Sequence, residues 1–323
     1  MATVRRHRLA IIGAGQTGGT CALLAGLKNL GDIVLYDVIE GMPQGKALDL
    51  LHMAPVFGLD FHIQGTNDIK DIEGSDVCIV TAGVPRKPGM SRDDLLRTNA
   101  EIVRDVAAGI KRYAKDSLII VFTNPLDAMA YLMHKLTGFP SERVVGLAGV
   151  LDTGRYQAYL AEELNMSVTS ISAFVLGGHG DAMVPVRSYT TCNGIPVDQM
   201  LPRERLDEIE QRVRNAGGDV VKLLKTGSAF YSPAASAMVM TQAYLFDQNK
   251  LITASAYCRG EYGIDGLYVG VPIIMGSDGV EKILEIPLNA EEKVQLQESV
   301  AEVRSLVERL PIGAEAAEEL QAH

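Results

Sequence analysis

The sequence predicts an α/β protein in which a doubly wound parallel sheet is followed by a second, mixed α+β domain. In the first half, short apolar runs alternate with stretches of helical periodicity, as where Leu118–Phe122 precedes Asp127–Leu136. Strands separated by helical segments indicate parallel pairing, because a parallel connection needs a crossover long enough to hold a helix. Strands that are apolar at every position are typical of a sheet covered on both faces. The alternation ends near residue 150, so we expect one domain over residues 1–150 and another over 151–323.

The first domain is expected to contain six strands and at least four helices. The predicted strands are Arg8–Ile12, Ile33–Tyr36, Phe61–Gln64, Val77–Thr81, Leu118–Phe122 and Val144–Leu147. The predicted helices are Thr17–Leu30, Gly41–Met53, Asp93–Tyr113 and Asp127–Leu136. This alternation of strands and helices favours a parallel sheet with helices on both faces.

The second domain mixes strands and helices without regular alternation. Its predicted strands are Ser167–Leu176, Met183–Pro196, Leu251–Arg259 and Leu267–Met275. Its predicted helices run from Arg203 to about Lys225, from about Pro233 to Leu245, and from Asn289 to about Leu310. The last two strands are joined by a glycine-bearing segment, which predicts a hairpin connection.

The composition disfavours several classes of protein. The chain has 323 residues, of which 47% are hydrophobic and 22% charged, the balance of a globular protein with a substantial core. Its net charge of −10 opposes binding to nucleic acid or to an anionic membrane. The apolar stretch Leu9–Ile12 is too short for the core of a signal peptide, and no apolar run reaches the length of a membrane span. We therefore expect a cytoplasmic protein whose four cysteines are reduced and mostly buried.

A glycine-rich loop follows the first predicted strand and opens a helix. Its glycines, Gly13, Gly15 and Gly18, would allow a tight turn, close approach of a pyrophosphate, and close packing of helix on strand. Backbone amides at the start of that helix, around Gln16 and Thr17, would face the phosphates. Glycine-rich turns are common, and a plain strand–helix turn is the alternative. The preceding strand and the following helix favour a dinucleotide site.

An acidic residue at the end of the second predicted strand indicates which dinucleotide binds. Asp37 lies about 20 residues after the glycines, where a carboxylate accepts hydrogen bonds from the adenosine ribose. Its charge would repel a 2′-phosphate, and its neighbours Tyr36, Val38 and Ile39 include no arginine to offset that charge. The sequence therefore predicts NAD as the cofactor rather than NADP.

A basic loop follows the fourth predicted strand, at the sheet edge where ligands bind in open α/β sheets. It carries Arg86, Lys87 and Arg92. Such cations are usually solvated surface charges, but their position over the cofactor favours a role in binding an anion. Ser91 and Asp94 have the spacing of a capping box, so a helix is expected to begin near Arg92.

Three polar residues of the second half are candidates for catalysis. Asp152 and Arg155 are three apart at the start of a predicted helix, so both project from one face, although such a pair is most often a surface ion pair. His179 lies in a glycine-rich turn after an apolar strand. A histidine in such a turn is more often structural, but the flanking glycines would let a ligand approach the imidazole. Asp181 is a rival to Asp152 for the carboxylate that orients His179.

Six motifs occur in order along the chain. They are Gly13–Gly18, Tyr36–Asp37, Arg86–Asp94, Thr123–Asp127, Leu151–Arg155 and Gly177–Asp181. Together they resemble the lactate/malate dehydrogenase family, and specifically its lactate-dehydrogenase-like malate dehydrogenases. The resemblance extends from about residue 8 to about residue 310. One departure is Gly154, where relatives often carry alanine; it flanks the functional pair and puts little in doubt.

The resemblance implies a Rossmann-type cofactor domain and hydride transfer between NAD and a small hydroxy acid. It implies that His179 exchanges a proton with the substrate oxygen and that Asp152 accepts the other ring N–H. Arg155 would bind the C1 carboxylate of the substrate, and Arg92 would polarise the carbonyl when its loop closes. Asn124 is implied to line the substrate. The residues implied along the nicotinamide half of the cofactor are Asn99, Phe122, Thr123 and Asn124.

Arg86 occupies the position that decides substrate in this family. A dicarboxylate such as oxaloacetate needs a second cationic partner, and Ala229 would leave room for it on the facing wall. The resemblance therefore implies interconversion of malate and oxaloacetate by a homo-oligomer, a tetramer or a dimer, with no metal. The alternatives are a lactate or broader 2-hydroxy-acid dehydrogenase and an inactive dinucleotide-sensing module. The presence of His179, Asp152 and Arg155 disfavours the inactive module.

Overall fold

The structure, a computed structural model, describes residues 5–85 and 90–311. The first half contains six strands of the main sheet: β1 (Arg8–Ile12), β2 (Asp32–Tyr36), β3 (Ile63–Thr66), β4 (Val77–Val80), β5 (Leu118–Val121) and β6 (Val144–Gly146). The helices that follow these strands are α1 (Gln16–Leu27), α2 (Met42–Val56), α3 (Arg92–Tyr113), α4 (Leu126–Thr137) and α5 (Ala148–Leu164).

The second half contains shorter strands, a long hairpin and three further helices. The short strands are β7 (Ile171–Ser172), β8 (Val175–Leu176), β9 (Val184–Pro185), β10 (Thr191–Cys192) and β11 (Ile195–Pro196). The longer strands are β12 (Lys250–Arg259), β13 (Asp265–Gly276) and β14 (Gly279–Ile283). The helices are α6 (Arg203–Leu224), α7 (Tyr231–Leu245) and α8 (Ala290–Glu308).

The predicted doubly wound sheet is confirmed. The first six strands pair in parallel in the order β3-β2-β1-β4-β5-β6. Every residue of β4 and β5 is buried, as expected for strands covered on both faces. The strand order reverses at β1, which lies between β2 and β4. The loops after β1 and β4 therefore line the crevice in which such sheets bind ligands.

The hairpin of the second half extends this sheet. β12 pairs antiparallel with β6 through Ser255 and Gly146, and β13 and β14 follow, which gives nine strands. The predicted strands Leu251–Arg259 and Leu267–Met275 are confirmed. β14, which the sequence pattern did not indicate, is a five-residue edge strand that contains exposed Glu281 and Lys282. The hairpin places Ser255 beside the end of β6, close to the start of α5.

Two long strands predicted between residues 167 and 196 are wrong. The segment predicted as Ser167–Leu176 is a short 3-10 helix followed by the two-residue strands β7 and β8. The segment predicted as Met183–Pro196 is broken into three short strands by a 3-10 turn and by a tight turn between β10 and β11. Asn193 and Gly194 form that tight turn with φ +47° and +85°, a conformation that ends any extended strand.

Burial of the cysteines agrees with the sequence prediction, since all four are buried and free. Across residues 5–85 and 90–311, no helix has the length and apolarity needed to cross a bilayer.

Candidate active site

The loop between β1 and α1 contains three glycines, of which two leave no room for a side chain and one borders empty space. Gly13 has φ +106°, and a Cβ there would lie 2.6 Å from the Oγ1 of Thr81. A Cβ on Gly18 would lie 1.8 Å from the carbonyl oxygen of Gly13, so α1 packs directly on the loop. At Gly15 no described atom lies within 4 Å of the position that a Cβ would take. The first and third glycines therefore shape the loop, and the second leaves room for a ligand.

The first turn of α1 is suited to an anion. Gly15 is its N-cap, no side chain caps the helix, and no acidic residue lies in its first turn. The amides at the start of a helix lack partners within the helix, and the helix dipole places partial positive charge there. Together with the open space at Gly15, this end of α1 fits the pyrophosphate of a dinucleotide.

Asp37 joins the second strand to the glycine-rich loop. Its Oδ2 accepts a hydrogen bond from the Ala14 amide at 2.6 Å, and its Oδ1 accepts one from the Ile39 amide at 3.0 Å. A carboxylate oxygen can accept more than one hydrogen bond, so both oxygens keep capacity for ribose hydroxyls. Asp37 is therefore fixed beside the loop, with its charge close to where an adenosine ribose would bind.

Lys46 of α2 is a residue near the cofactor loop that the sequence analysis missed. Its Nζ donates a hydrogen bond to the Gly15 carbonyl oxygen at 2.7 Å. Burial lowers the pKa of the Lys46 ammonium, against the opposing effect of the Asp37 carboxylate. A cation near a helix N-terminus is unfavourable by itself, so its position there also fits an anionic ligand. Only the packing of α2 against α1 brings Lys46 to the loop, and the sequence carries no local signal for it.

The segments after β4 and β5 are held together by Asn99 of α3. Its Oδ1 accepts a hydrogen bond from the Val84 amide at 2.8 Å, and its Nδ2 donates to the carbonyl oxygens of Val84 and Asn124. Thr123 Oγ1 donates to the Ala82 carbonyl oxygen at 2.6 Å. Asn99 is buried and occupied by these contacts, so its part in the site is to fix the two loops. The side chain of Asn124, in contrast, is exposed.

The catalytic candidates of the second half come together as the sequence predicts. The Nδ1 of His179 lies 2.7 Å from Oδ2 of Asp152, whose side chain is 2% exposed. The other carboxylate oxygen accepts a hydrogen bond from Arg155 Nη1 at 3.1 Å. Asp152 and Arg155 both lie on the first turns of α5, which starts directly after β6. They form a buried ion pair rather than a surface pair, with Arg155 at 14% side-chain exposure.

This environment favours the charged form of His179. Burial opposes the imidazolium, but the charge and hydrogen bond of Asp152, with a further contribution from Asp127, outweigh it. The pKa of His179 is therefore raised above its ordinary value, although the guanidinium of Arg155 acts in the opposite direction. Within the described part of the chain, the ring Nε2 has no hydrogen-bond partner. The arrangement gives an imidazole held by one nitrogen and free to exchange a proton at the other.

The glycines around His179 differ in their roles. A Cβ on Gly178 would lie 2.6 Å from Val303 of α8, so Gly178 allows close packing. Gly180 has φ +118° and open space around it, so a ligand can approach on this side. The His179 amide donates to Asp127 Oδ2 at 2.8 Å, a contact that the sequence analysis did not predict. Asp181 is exposed and has no described contact with the ring, so Asp152 rather than Asp181 is the carboxylate in contact with it.

The basic loop is described only in part. Arg86, predicted to select the substrate, lies outside the described residues. Arg92 is the first residue of α3, after the capping box that Ser91 and Asp94 form as predicted. The Arg92 guanidinium is 71% exposed and lies 3.6 Å from the Asp181 carboxylate. Arg92 is thus close to the His179 turn but not buried in the site.

No group of three or more histidine, cysteine or acidic side chains within residues 5–85 and 90–311 is arranged to hold a metal ion. The site combines a glycine-rich loop suited to a dinucleotide, at the switch point of a parallel sheet, with a buried His–Asp–Arg cluster beyond β6. Together they define the class of dinucleotide-dependent dehydrogenases.

Comparisons with known proteins narrow this class. The family model for the lactate/malate dehydrogenase NAD binding domain matches residues 7–146, and that for the α/β C-terminal domain matches residues 149–310. The chain belongs to the lactate/malate dehydrogenase family, whose members are NAD-dependent oxidoreductases.

Solved structures of both specificities are similar to this chain. A malate dehydrogenase from Cryptosporidium parvum has 44% sequence identity and a TM-score of 0.92, and the match covers 94% of this chain and 99% of that one. A lactate dehydrogenase from the same organism, complexed with lactic acid and NAD, has 42% identity and a TM-score of 0.93, covering 96% and 100%. A malate dehydrogenase from Salinibacter ruber has 46% identity and a TM-score of 0.90, covering 94% and 97%. Overall similarity therefore does not assign the substrate.

Proposed function

We propose that this chain is a malate dehydrogenase, which interconverts malate and oxaloacetate with NAD. The observation that supports the chemistry is the buried cluster in which Asp152 contacts both His179 and Arg155. It combines a proton-exchanging group with a cation suited to a carboxylate, which is what reduction of a 2-keto acid requires.

The cofactor supplies the hydride when it is bound. In the direction of reduction, His179 in its charged form donates a proton from Nε2 to the substrate oxygen. Asp152 holds Nδ1 and stabilises the positive charge before transfer. Arg155 binds the C1 carboxylate, and Arg92, at the start of α3, approaches the carbonyl oxygen as the site closes and excludes water. In the direction of oxidation, neutral His179 accepts the proton.

The choice of malate rests on Arg86, because a second substrate carboxylate needs a second cation. Ala229 is consistent with a larger substrate, since its side chain is small and the residue is only half-buried. Lactate dehydrogenase is the second candidate, favoured by the similarity to the lactic acid complex. The residue at position 86 favours malate, since lactate dehydrogenases usually have a neutral residue there.

Replacing Arg155 with lysine tests the shared part of this proposal. Lysine keeps the charge but loses the planar pair of donors that fits a carboxylate. We expect kcat/KM to fall about 10- to 100-fold for oxaloacetate and pyruvate alike, since hydrogen bonds to charged groups contribute about 1.5–3 kcal/mol. Steady-state kinetics with both acids, alongside NADH binding by fluorescence, measures this.

Arg212→Lys is the matched control, because Arg212 pairs with Glu162 at the surface of α6 and should tolerate the change. NADH affinity should be unchanged in both variants. A loss confined to one of the two acids would contradict the assignment of Arg155 to the C1 carboxylate.

Exchanging Asp37 for serine is expected to relax the preference for NAD. The change removes the negative charge that repels a 2′-phosphate, so the ratio of kcat/KM for NADPH to that for NADH should rise by about tenfold or more. Asp32→Ser is the control, since Asp32 begins β2 whereas Asp37 directly follows its last residue. An unchanged ratio in Asp37→Ser would remove Asp37 from the cofactor site.

We also propose that the enzyme is a homo-oligomer, with a tetramer favoured over a dimer. The supporting observation is a group of exposed apolar side chains along and just after α2, which are Leu48, Leu51, Val56 and Phe57. Apolar side chains gathered on one exposed helix are typical of a subunit interface. Light scattering of the purified protein gives the number of subunits, and a monomer would contradict the proposal.

A further inference from the structure

We propose that Asp127 is a second carboxylate that sets the protonation of His179, acting behind the ring as a positioning residue. This inference rests on the proposed role of His179 as the proton-exchanging group. Asp127 lies on the first turn of α4, at the end of the motif Thr123–Asp127, and has no function in the chemistry described above.

Asp127 lies between the glycine-rich turn that carries His179 and strand β12 of the central sheet. Its Oδ2 accepts the backbone amide of His179 at 2.8 Å, and its Oδ1 accepts the hydroxyl of Ser255 on β12 at 2.6 Å. The side chain is 4% exposed, so water does not compete for these oxygens. The carboxylate therefore fixes the residue that carries the imidazole, not only the loop around it.

The contacts of Asp127 favour its ionised form. A backbone amide can only donate, and a hydroxyl–carboxylate distance of 2.6 Å is typical of a bond to a charged oxygen. Burial raises the pKa of Asp127 above its ordinary value, and the two donors and the charge of His179 act against that rise. The positive charge that acts on Asp127 is the imidazolium of His179, so the two charges stabilise each other.

The buried charges that act on His179 come from two helices. Asp152 and Arg155 lie on α5, and Asp127 lies on α4. Arg92 and Asp181 face each other near the open side of the turn, where both are exposed and screened. From α8, the hydrogen bond to this turn comes from the uncharged Ser299, whose Oγ accepts the Gly178 amide at 2.8 Å. Asp127 is thus the buried negative charge that acts on His179 in addition to Asp152.

Asp127→Asn removes the charge and can keep both hydrogen bonds, because the amide oxygen accepts from His179 and the Ser255 hydroxyl can turn to accept. We expect the loss of activity to depend on pH. For reduction of oxaloacetate, kcat/KM of the variant should be about tenfold lower than that of the unaltered enzyme at pH 8, because less of its His179 is then protonated. At pH 5.5 the ring is protonated in both enzymes, so kcat/KM should differ little. Oxidation of malate, which needs the neutral ring, should extend to lower pH. Titration of the His179 ring by NMR should show a lower pKa than in the unaltered enzyme.

Two variants keep this test decisive. Ser299→Ala removes a hydrogen bond from the adjacent amide of the same turn without changing any charge, and should leave the NMR pKa in place. Ser255→Ala keeps Asp127 but removes a donor that favours its ionised form, so it should shift the pKa in the same direction and by less. If Asp127→Asn does not fold, Ser255→Ala carries the test.

Each remaining outcome overturns a specific statement. An unchanged NMR pKa for His179 in Asp127→Asn means that Asp127 is neutral or acts only as structure, and it overturns this inference whatever the activity. A uniform loss of kcat at every pH does the same. If the unaltered enzyme does not reduce oxaloacetate or pyruvate, the proposed function fails, but the NMR titration still measures the effect of Asp127 on His179.

Discussion

Arg86→Gln is expected to lower kcat/KM for oxaloacetate by about 30- to 4,000-fold and to raise it for pyruvate. In a closed site the distal carboxylate of oxaloacetate is stripped of water, and removal of one partner of a desolvated charge pair costs about 2–5 kcal/mol. Each ~1.4 kcal/mol corresponds to about tenfold in kcat/KM. Pyruvate has no second carboxylate to pair with Arg86, so the substitution removes an unpaired cation from the complex with pyruvate.

The competing explanation is that Arg86 is a solvated charge that attracts anions from a distance. That explanation predicts a modest decline for both acids that fades as salt rises, because exposed charges are screened within a Debye length. Arg97→Gln provides the matched control, since Arg97 is exposed on the second turn of α3 and outside the proposed site. Measuring both acids at low and high salt for the two variants separates the explanations. A parallel, salt-sensitive decline in Arg86→Gln would leave lactate and malate undecided.

His179→Asn is expected to reduce kcat by about 10²- to 10⁴-fold, the usual contribution of a general acid–base group. Asparagine can still donate to Asp152, so the buried carboxylate remains partnered and the fold should persist. The glycine-rich loop and Asp37 belong to the β1–α1 connection and the end of β2 and have no described contact with His179, so NADH affinity should change little. Stopped-flow measurement of turnover and fluorescence titration with NADH test the two halves of this prediction.

His62→Asn is the control for this variant, since His62 is exposed beside β3 and should tolerate the change. Near-normal turnover in His179→Asn would exclude His179 as the proton-exchanging group. A parallel collapse of NADH affinity and activity would instead assign His179 a structural role and deprive Asp152 of its proposed function.

The parts of the site that could be predicted from the sequence are those fixed by local geometry. The glycine-rich loop follows a buried strand and opens a helix, so its residues determine the turn without help from elsewhere. The Asp152–Arg155 pair depends only on the spacing of a helix. The pairing of His179 with Asp152 rather than Asp181 could not be derived from spacing. It required the packing of the turn on α5, and the family resemblance supplied it.

The parts that were missed depend on contacts between residues distant in sequence. Lys46 on α2 contacts Gly15 at the start of α1. Asp127 on α4 contacts the turn that carries His179 and Ser255 on β12. The predicted strand Met183–Pro196 had enough apolar and β-branched residues to suggest extended structure, yet turns divide it. β14 is a short edge strand whose exposed polar residues give no hydrophobic signal, and it is set by pairing with β13.

The ratio of kcat/KM for oxaloacetate to that for pyruvate, in the unaltered enzyme with NADH, distinguishes a malate dehydrogenase from a lactate dehydrogenase. The cofactor loop and the His–Asp–Arg cluster serve either acid, so this ratio isolates the choice of substrate. If Arg86 binds the distal carboxylate, the ratio should be at least about 30, the lower limit of what one desolvated charge pair provides. A ratio near or below one would contradict the proposal of a malate dehydrogenase and favour a lactate dehydrogenase on the same site.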